Sequence, residues 1–181
     1  MHGVVSLLDD EHYALIEHLW DELETELGVR GLYNTPLPHF SYHVAERYDV
    51  DLLESVLPRL ASNYPPFRVR TAGLGIFSGD HPVLYVAVVR SPALTALHRT
   101  LWQELAGASA GAVEYYHPEQ WMPHITLADG HVLKDHLPDV ARLLSARAFD
   151  WEIEVDNLAL IHDTGAVQEV RCCFGLLSGT H

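Results

Sequence analysis

The feature that most constrains the fold is a short pattern that occurs twice in the chain. Residues 37–43 read LPHFSYH and residues 122–128 read MPHITLA, so each Pro-His pair precedes an apolar, a hydroxyl and an apolar residue. Alternation of polar and apolar residues is typical of a half-buried β-strand. A proline has no N–H for a sheet ladder and favours the start or edge of a strand. The repeat therefore predicts two similar strands, over 36–43 and 121–128.

The two motif strands occur in similar surroundings. Apolar spacing and turn residues predict the elements of the chain in this order: strand 4–8, a helix ending at Gly28, strand 36–43, a helix over 53–60, strands 67–77 and 82–89, a helix from Ser91 to Leu105, strand 121–128, a helix over 133–144, strand 151–155 and a last strand through Phe174. In each half a motif strand precedes a helix and a hairpin. The order predicts one α+β domain over residues 1–181 with two similar lobes.

Composition narrows the class of protein. Apolar residues make up 48% of the chain, which is enough for a sizeable core, and no apolar run approaches the roughly 18 residues that span a membrane. The start is too short in apolar residues and too acidic for a secretory signal. Cys172 and Cys173 are adjacent and poorly suited to a disulfide. We therefore expect a soluble cytoplasmic protein with reduced thiols.

Charge narrows the class of ligand. The net charge is −14, so the chain repels polyphosphate at long range and is a poor candidate for binding duplex DNA or RNA. A small anionic ligand at a local site remains compatible with this charge.

The repeated motif brings acid–base groups together. Residues i and i+2 of a strand share a face, so His39 lies beside Ser41 and His124 beside Thr126. Histidine has an ordinary pKa near 6.5, so one imidazole can act as a general base and the other as a general acid. The two hydroxyls can donate hydrogen bonds to an oxyanion, for which a phosphate diester is the natural candidate. This chemistry requires no metal.

Paired His-apolar-Ser/Thr-apolar motifs 124 − 39 = 85 residues apart resemble those of the two-histidine phosphoesterase superfamily. Its bacterial 2′-5′ RNA ligase-like proteins and cyclic phosphodiesterases are the most similar in layout, over nearly the whole chain. The resemblance implies two pseudo-symmetric lobes of antiparallel sheet, with outer helices around a central cleft. It implies that His39 and His124 are catalytic and that Ser41 and Thr126 bind phosphate, with no metal or nucleotide cofactor. The implied substrates are 2′,3′-cyclic phosphates or 2′-5′ bonds of RNA ends or small nucleotides.

Further residues are candidates for substrate contact. His43 lies four residues after His39, on the same predicted strand face, and an alternative register would make HVAE the first motif. That register replaces the hydroxyl residue with Ala45 and loses the proline, so we prefer His39. Arg68 and Arg70 could bind a phosphate or a terminal base. Four aromatic residues could stack on a base; they are Tyr42, Tyr115, Tyr116 and Trp121. His162 and Arg171 could approach the cleft, although no spacing rule supports them.

Two other functions remain open at this stage. His39 and His43 have the i, i+4 spacing of helical metal ligands, which would suit a zinc hydrolase. Pro36 and Pro38 argue against a helix there. A non-catalytic module of the same fold could instead bind a nucleotide or an RNA end. In each case we expect a monomer.

Overall fold

The computed structural model describes residues 1–29 and 35–177. Its helices and strands are, in chain order, β1 His2–Leu7, α1 Asp10–Leu27, β2 His39–Tyr48, α2 Val50–Ala61, β3 Phe67–Phe77, β4 Val83–Val88, α3 Pro92–Leu105, β5 Ser109–Ala112, a 3-10 helix Glu114–Tyr116, β6 His124–Asp129, α4 Gly130–Leu144, β7 Glu152–Val155, β8 Asn157–Asp163 and β9 Gln168–Gly175. Among the described residues, no helix is both long and apolar enough to cross a membrane.

The strands form an antiparallel sheet with the two motif strands at its centre. The order is β7-β3-β4-β6-β2-β1-β8-β9. Strand β5 pairs with the C-terminal part of β2, from Ala45 to Tyr48. We call β2, β1, β8 and β9 the first lobe, and β6, β4, β3 and β7 the second lobe. The lobes join through β2 and β6, whose ladder pairs Phe40 with Ile125. This arrangement confirms the predicted α+β fold with two similar lobes.

Each lobe is covered by two helices. Helices α2 and α3 pack on the first lobe, and α1 and α4 pack on the second. Strands are also exchanged between the halves of the chain. Strand β3 follows the first motif but pairs with β4 in the second lobe, whereas β8 follows the second motif but pairs with β1 in the first lobe.

The helix ends follow from local chemistry. Asp9 accepts a hydrogen bond from the backbone N–H of His12 at the start of α1, and Gly28 ends this helix with φ 65°. Ser91 caps α3 by accepting from the N–H of Leu94, and Pro92 occupies the first turn. These boundaries agree with the sequence prediction.

Both motif strands begin at their histidine and contain one extra residue. Along β2, Val4 pairs with His43 and Val5 with Ser41, which leaves Tyr42 as the extra residue. Along β6, Leu84 pairs with Ala128 and Tyr85 with Thr126, which leaves Leu127 as the extra residue. The two bulges lie at equivalent positions of the two motifs. A bulge reverses which face the following side chains occupy.

Two parts of the fold differ from the sequence prediction. Strand β5 and the 3-10 helix after it were not predicted, because SAGA has no alternating apolar pattern. The segment after residue 150 forms three strands, and Asp156 separates β7 from β8. The break is required because β7 pairs with β3 in the second lobe and β8 pairs with β1 in the first.

Candidate active site

A cavity of about 450 Å³ lies where the motif strands meet, and His39, Ser41, His124 and Thr126 all line it. The register explains why. Because Phe40 pairs with Ile125 in an antiparallel ladder, His39 lies opposite Thr126 and Ser41 lies opposite His124. The two imidazoles therefore occupy one diagonal of the group and the two hydroxyls occupy the other.

The two histidines are held in the same way. Nδ1 of His39 donates to the carbonyl oxygen of Leu37, and Nδ1 of His124 donates to that of Met122, at 2.8 Å. A carbonyl oxygen can only accept, so the proton of each neutral ring is assigned to Nδ1. Nε2 is then the nitrogen whose lone pair is available to a ligand. Both motifs thus present the same tautomer.

The prolines before the histidines also have equivalent roles. The carbonyl oxygen of Pro38 accepts from the N–H of Leu8, and that of Pro123 accepts from the N–H of Val88. Each proline thus connects its motif to the neighbouring segment without needing an N–H, as expected at the start of a strand.

Burial favours the neutral form of both imidazoles. It lowers the pKa of His39 to about 4, against the opposing effect of the Leu37 carbonyl, and the nearby His124 lowers it further. Burial also lowers the pKa of His124, opposed by the Met122 carbonyl. Both rings are therefore neutral near pH 7 without a ligand, whereas the sequence suggested one charged ring. A bound anion favours the charged form and would raise these pKa values.

The bulges decide which residues follow the motifs along the cavity wall. Val44 and Asp129, each five residues after its histidine, line the cavity. His43, which was expected on this face, is instead 1% exposed. That expectation was wrong because the extra residue in β2 reverses the face. Aligning the two motifs in the sequence pairs Asp129 with Val44, but it does not show that either residue faces the cavity.

The electrostatics of the cavity are unusual for an anion site. Burial raises the pKa of the Asp129 carboxyl, and the nearby His81 opposes this shift. Among the described residues, no lysine or arginine lines the cavity. In the described cavity, an anion would therefore meet hydroxyl groups and, once protonated, an imidazolium; Met1, whose ammonium pairs with Asp163 at 3.0 Å, also lines the cavity. A ligand with one negative charge suits such a site better than a polyanion.

Two cavity residues had no signal in the sequence. Thr35, just before the first motif, donates from Oγ1 to Oε1 of Gln168 on β9, at 2.8 Å. The Gln168 amide in turn donates to the carbonyl oxygen of Met1, at 3.1 Å. Residues so far apart in the chain come together only through the pairing of β8 with β9 and with β1.

Three predicted substrate contacts are buried away from the cavity. Tyr42 is fully buried and its hydroxyl bonds to that of Ser6, at 2.8 Å. Trp121 is fully buried and stacks on His98, with ring centroids 3.7 Å apart. Nδ1 of His43 bonds to the Tyr48 hydroxyl at 2.6 Å. These three residues support the motif strand from within the core, and the expectation that their side chains touch substrate is corrected.

The predicted arginine contacts also lie elsewhere. Arg68 and Arg70 are exposed on β3, near the outer edge of the second lobe. Arg68 forms an ion pair with Glu152, at 2.6 Å. Neither arginine lines the cavity, because β4 separates β3 from the motif strand β6. His162 and Arg171 line a different cavity of about 150 Å³.

The arrangement offers little support for a zinc site. Within the described part of the chain, no group of three or more His, Cys, Asp or Glu residues could hold a metal ion. His39 lines the cavity, whereas His43 bonds to Tyr48 in the core. The pair that suggested zinc therefore does not form a ligand set.

Comparison with known proteins places the chain in a family. The model of the 2′-5′ RNA ligase superfamily matches residues 8–166, a span that contains both motifs and all four described helices. No curated protein sequence matches the chain.

Several solved structures share the fold. TT0787 of Thermus thermophilus has a TM-score of 0.64 and 22% identity, with 99% of both chains covered. Escherichia coli LigT complexed with 3′-AMP has a TM-score of 0.56 and 14% identity, and LigT complexed with NADP⁺ has 0.60 and 15%; 98% of both chains is covered in each case. Identities this low carry the fold alone. From the match across most of its length, the chain belongs to the 2′-5′ RNA ligase superfamily.

Proposed function

We propose that this protein is a metal-independent phosphoesterase that acts on 2′,3′-cyclic phosphates or 2′-5′ phosphodiester bonds of RNA ends or small nucleotides. The observation that carries the proposal is the diagonal placement of His39 and His124 in one cavity, each beside a hydroxyl residue of the other motif. Two imidazoles so arranged can reach opposite sides of a phosphorus atom. In-line displacement requires a proton acceptor on one side and a donor on the other.

For a cyclic phosphate, the nucleophile is water. Nε2 of the neutral imidazole accepts a proton from water as its oxygen forms a bond to phosphorus. The bond from phosphorus to one ribose oxygen breaks, and Nε2–H of the protonated imidazole donates its proton to that oxygen. The product is a phosphomonoester, and the two histidines have exchanged protonation states. The Ser41 and Thr126 hydroxyls donate to the phosphate oxygens as charge accumulates on them.

For a 2′-5′ diester, the same groups support transesterification. The ribose 3′-hydroxyl replaces water as the nucleophile, and the 5′-oxygen of the next nucleotide is the leaving group. The product is a 2′,3′-cyclic phosphate. In the reverse direction, with the histidine roles exchanged, the same step is ligation.

The size and charge of the site favour a small substrate. A cavity of about 450 Å³ is in the range that holds small molecules. The net charge of −14 opposes binding of a long RNA. Two structures of the similar protein LigT contain 3′-AMP or NADP⁺, both of which are small nucleotides.

The test is turnover of 2′,3′-cyclic AMP and of a 2′-5′-linked dinucleotide with excess EDTA present. We expect turnover of at least one, with the phosphomonoester or cyclic product identified by phosphorus NMR. The matched controls are His39→Ala and His124→Ala proteins that melt like the wild type. Tight binding of these ligands without turnover would contradict the proposal and favour a non-catalytic binding module. Loss of turnover that zinc restores would favour a zinc hydrolase.

A further inference from the structure

The 3-10 helix Glu114–Tyr116 brings one more polar group to the cavity. Tyr116 lines the cavity together with Ser41. Burial raises the pKa of the Tyr116 hydroxyl, and its interaction with the Ser41 side chain opposes this rise. Because Ser41 lies opposite His124 in the ladder, this pair of hydroxyls is beside the second motif's imidazole. The sequence suggested Tyr116 only as an aromatic residue that could stack on a base, not as a hydroxyl beside Ser41.

A buried histidine holds Tyr116 in place. His98 of α3 is 0% exposed, and its Nε2 donates to the carbonyl oxygens of Tyr42 and Tyr116, each at 3.0 Å. Since both partners can only accept, the ring proton is on Nε2. Nδ1 is buried and has no partner among the described residues. One imidazole therefore joins the motif strand β2 to the 3-10 helix.

Two more contacts fix the backbone around Ser41. The indole N–H of Trp121 donates to the carbonyl oxygen of Ser41, at 2.9 Å, and the Trp121 ring stacks on His98. The N–H of Val113, which precedes the 3-10 helix, donates to the carbonyl oxygen of Val44, at 2.8 Å. These hydrogen bonds, most of them partly buried, thus hold the backbones of Ser41 and Tyr116 in place relative to each other before any ligand binds. Such preorganisation is what an anion site requires.

We infer that Tyr116 is an additional anion-binding residue of this site and that His98 is the positioning residue that keeps it beside Ser41. A phenol has one donor proton, so Tyr116 can donate to a phosphate oxygen while accepting from Ser41, or donate to Ser41 and free the Ser41 proton for the anion. Either pattern places two hydroxyl groups on one side of the anion. The identity of the anion as a phosphoester rests on the proposed function.

The first test compares Tyr116→Phe with the neighbouring Tyr115→Phe. Both changes remove one hydroxyl and keep the ring, but the Tyr115 hydroxyl is buried without a partner in the described structure, and Tyr115 does not line the cavity. Inorganic phosphate is the probe, and its Kd is measured by calorimetry. We expect Tyr116→Phe to weaken phosphate binding by roughly tenfold to a hundredfold, as for loss of one hydrogen bond to a charged group. Tyr115→Phe should stay within about twofold of the wild type.

The second test addresses His98. His98→Phe keeps an aromatic ring against Trp121 but removes the donor, whereas His98→Gln keeps an N–H near the position of Nε2. We expect His98→Phe to weaken phosphate binding and to raise KM for 2′,3′-cyclic AMP, and His98→Gln to recover part of both. The double variant with Tyr116→Phe should be no weaker in binding phosphate than Tyr116→Phe alone, because both act through one hydroxyl. If His98→Phe does not fold, the comparison uses His98→Gln.

The outcomes separate this inference from the proposed function. Phosphate binding with the expected pattern supports the inference, even in a protein that turns over no cyclic nucleotide. Wild-type protein that binds no phosphate overturns it. Tyr116→Phe protein that binds phosphate as the wild type does also overturns it. Additive effects of Tyr116→Phe and His98→Phe would overturn the positioning role of His98.

Discussion

Phe40 and Ile125 form the cross-strand pair at which the two motif strands meet, and each directly follows a histidine. Both side chains are 1% exposed, so this contact is anchored in the core. It fixes His39 and His124 as diagonal neighbours on the opposite face. Diagonal cross-strand neighbours lie roughly 7–8 Å apart, a span that one phosphate group and its hydrogen bonds can bridge.

Loss of either imidazole should remove most of the rate. We expect His39→Ala and His124→Ala each to lower kcat by roughly a hundredfold to ten-thousandfold, the range for a general acid or base. The double variant should lose little more than a single variant, because the two rings act as a unit. Initial rates on 2′,3′-cyclic AMP provide the measurement, and melting curves establish folding. Full activity in both single variants would disprove the two-histidine mechanism.

His43→Ala tests which histidine belongs to the first motif. His43 is buried against Tyr48 and Trp102, and the ring centroids of His43 and Trp102 are 4.8 Å apart. Its replacement by alanine should therefore lower the free energy of unfolding by about 1–3 kcal/mol. The rate per folded molecule should remain near that of the wild type. A folded His43→Ala protein without activity, alongside a normal His39→Ala protein, would reverse our assignment of the register.

The hydroxyl residues should matter less than the histidines. Ser41→Ala and Thr126→Ala each remove one donor to the anion, and we expect a loss of roughly tenfold to a thousandfold in kcat/KM. Thr126→Ser keeps the hydroxyl and serves as the matched control, whereas Thr126→Val keeps the shape without it. If the Val variant is as active as the Ser variant, Thr126 does not bind the anion.

Burial of the two histidines predicts an acidic optimum. Burial lowers the pKa of His39 to about 4 and lowers that of His124 below its ordinary value of 6.5. The pH dependence of kcat/KM reports the pKa values of these groups in the free enzyme. The base must be above its pKa and the acid below its own, so kcat/KM should be highest below pH 6.5 and fall on the alkaline side. A bound diester stabilises the imidazolium, so the alkaline fall of kcat should lie at higher pH. A kcat/KM that rises to a plateau above pH 8 would contradict this arrangement.

The core histidines predict acid sensitivity of the fold. Burial lowers the pKa of His43 and of His98 to about 4. Unfolding exposes them to their ordinary pKa of 6.5, so the unfolded chain binds more protons and stability falls as the pH drops from 6.5 towards 4. Melting temperatures across this range provide the measurement. His43→Phe, which cannot titrate, should flatten the slope, and an unchanged slope would assign the effect to other groups.

Much of the fold follows from the spacing of apolar residues, which can be read directly from the sequence. The helix ends at Gly28 and at Ser91–Pro92 were predictable because the capping residues act locally. The four-residue group of His39, Ser41, His124 and Thr126 was predictable as two pairs, since i and i+2 share a face. The meeting of the pairs depends on the sheet order, which local patterns do not specify.

The predicted substrate contacts failed for a geometric reason. Tyr42 shares the core face of Phe40 by strand alternation alone. Whether His43 faces the cavity depends on one extra residue in β2, and a bulge leaves no mark in the residue types. Arg68 and Arg70 share a face of β3 as strand alternation predicts, but β4 lies between β3 and the motif strand β6. Tyr116 was a candidate for stacking on a base, but its placement in the cavity beside Ser41 depends on the buried imidazole that α3 supplies behind it.

The exchange of strands between the lobes has a consequence for synthesis on the ribosome. Of the described strands, β1 is synthesised first, yet its partner β8 belongs to the last part of the described chain. During translation the first lobe therefore lacks two of its four strands, and one edge of β1 stays unpaired. Pairing over such long sequence separations is slow and leaves sheet edges open to aggregation. Nascent chains of this protein should depend on chaperones that shield β1 until β8 arrives.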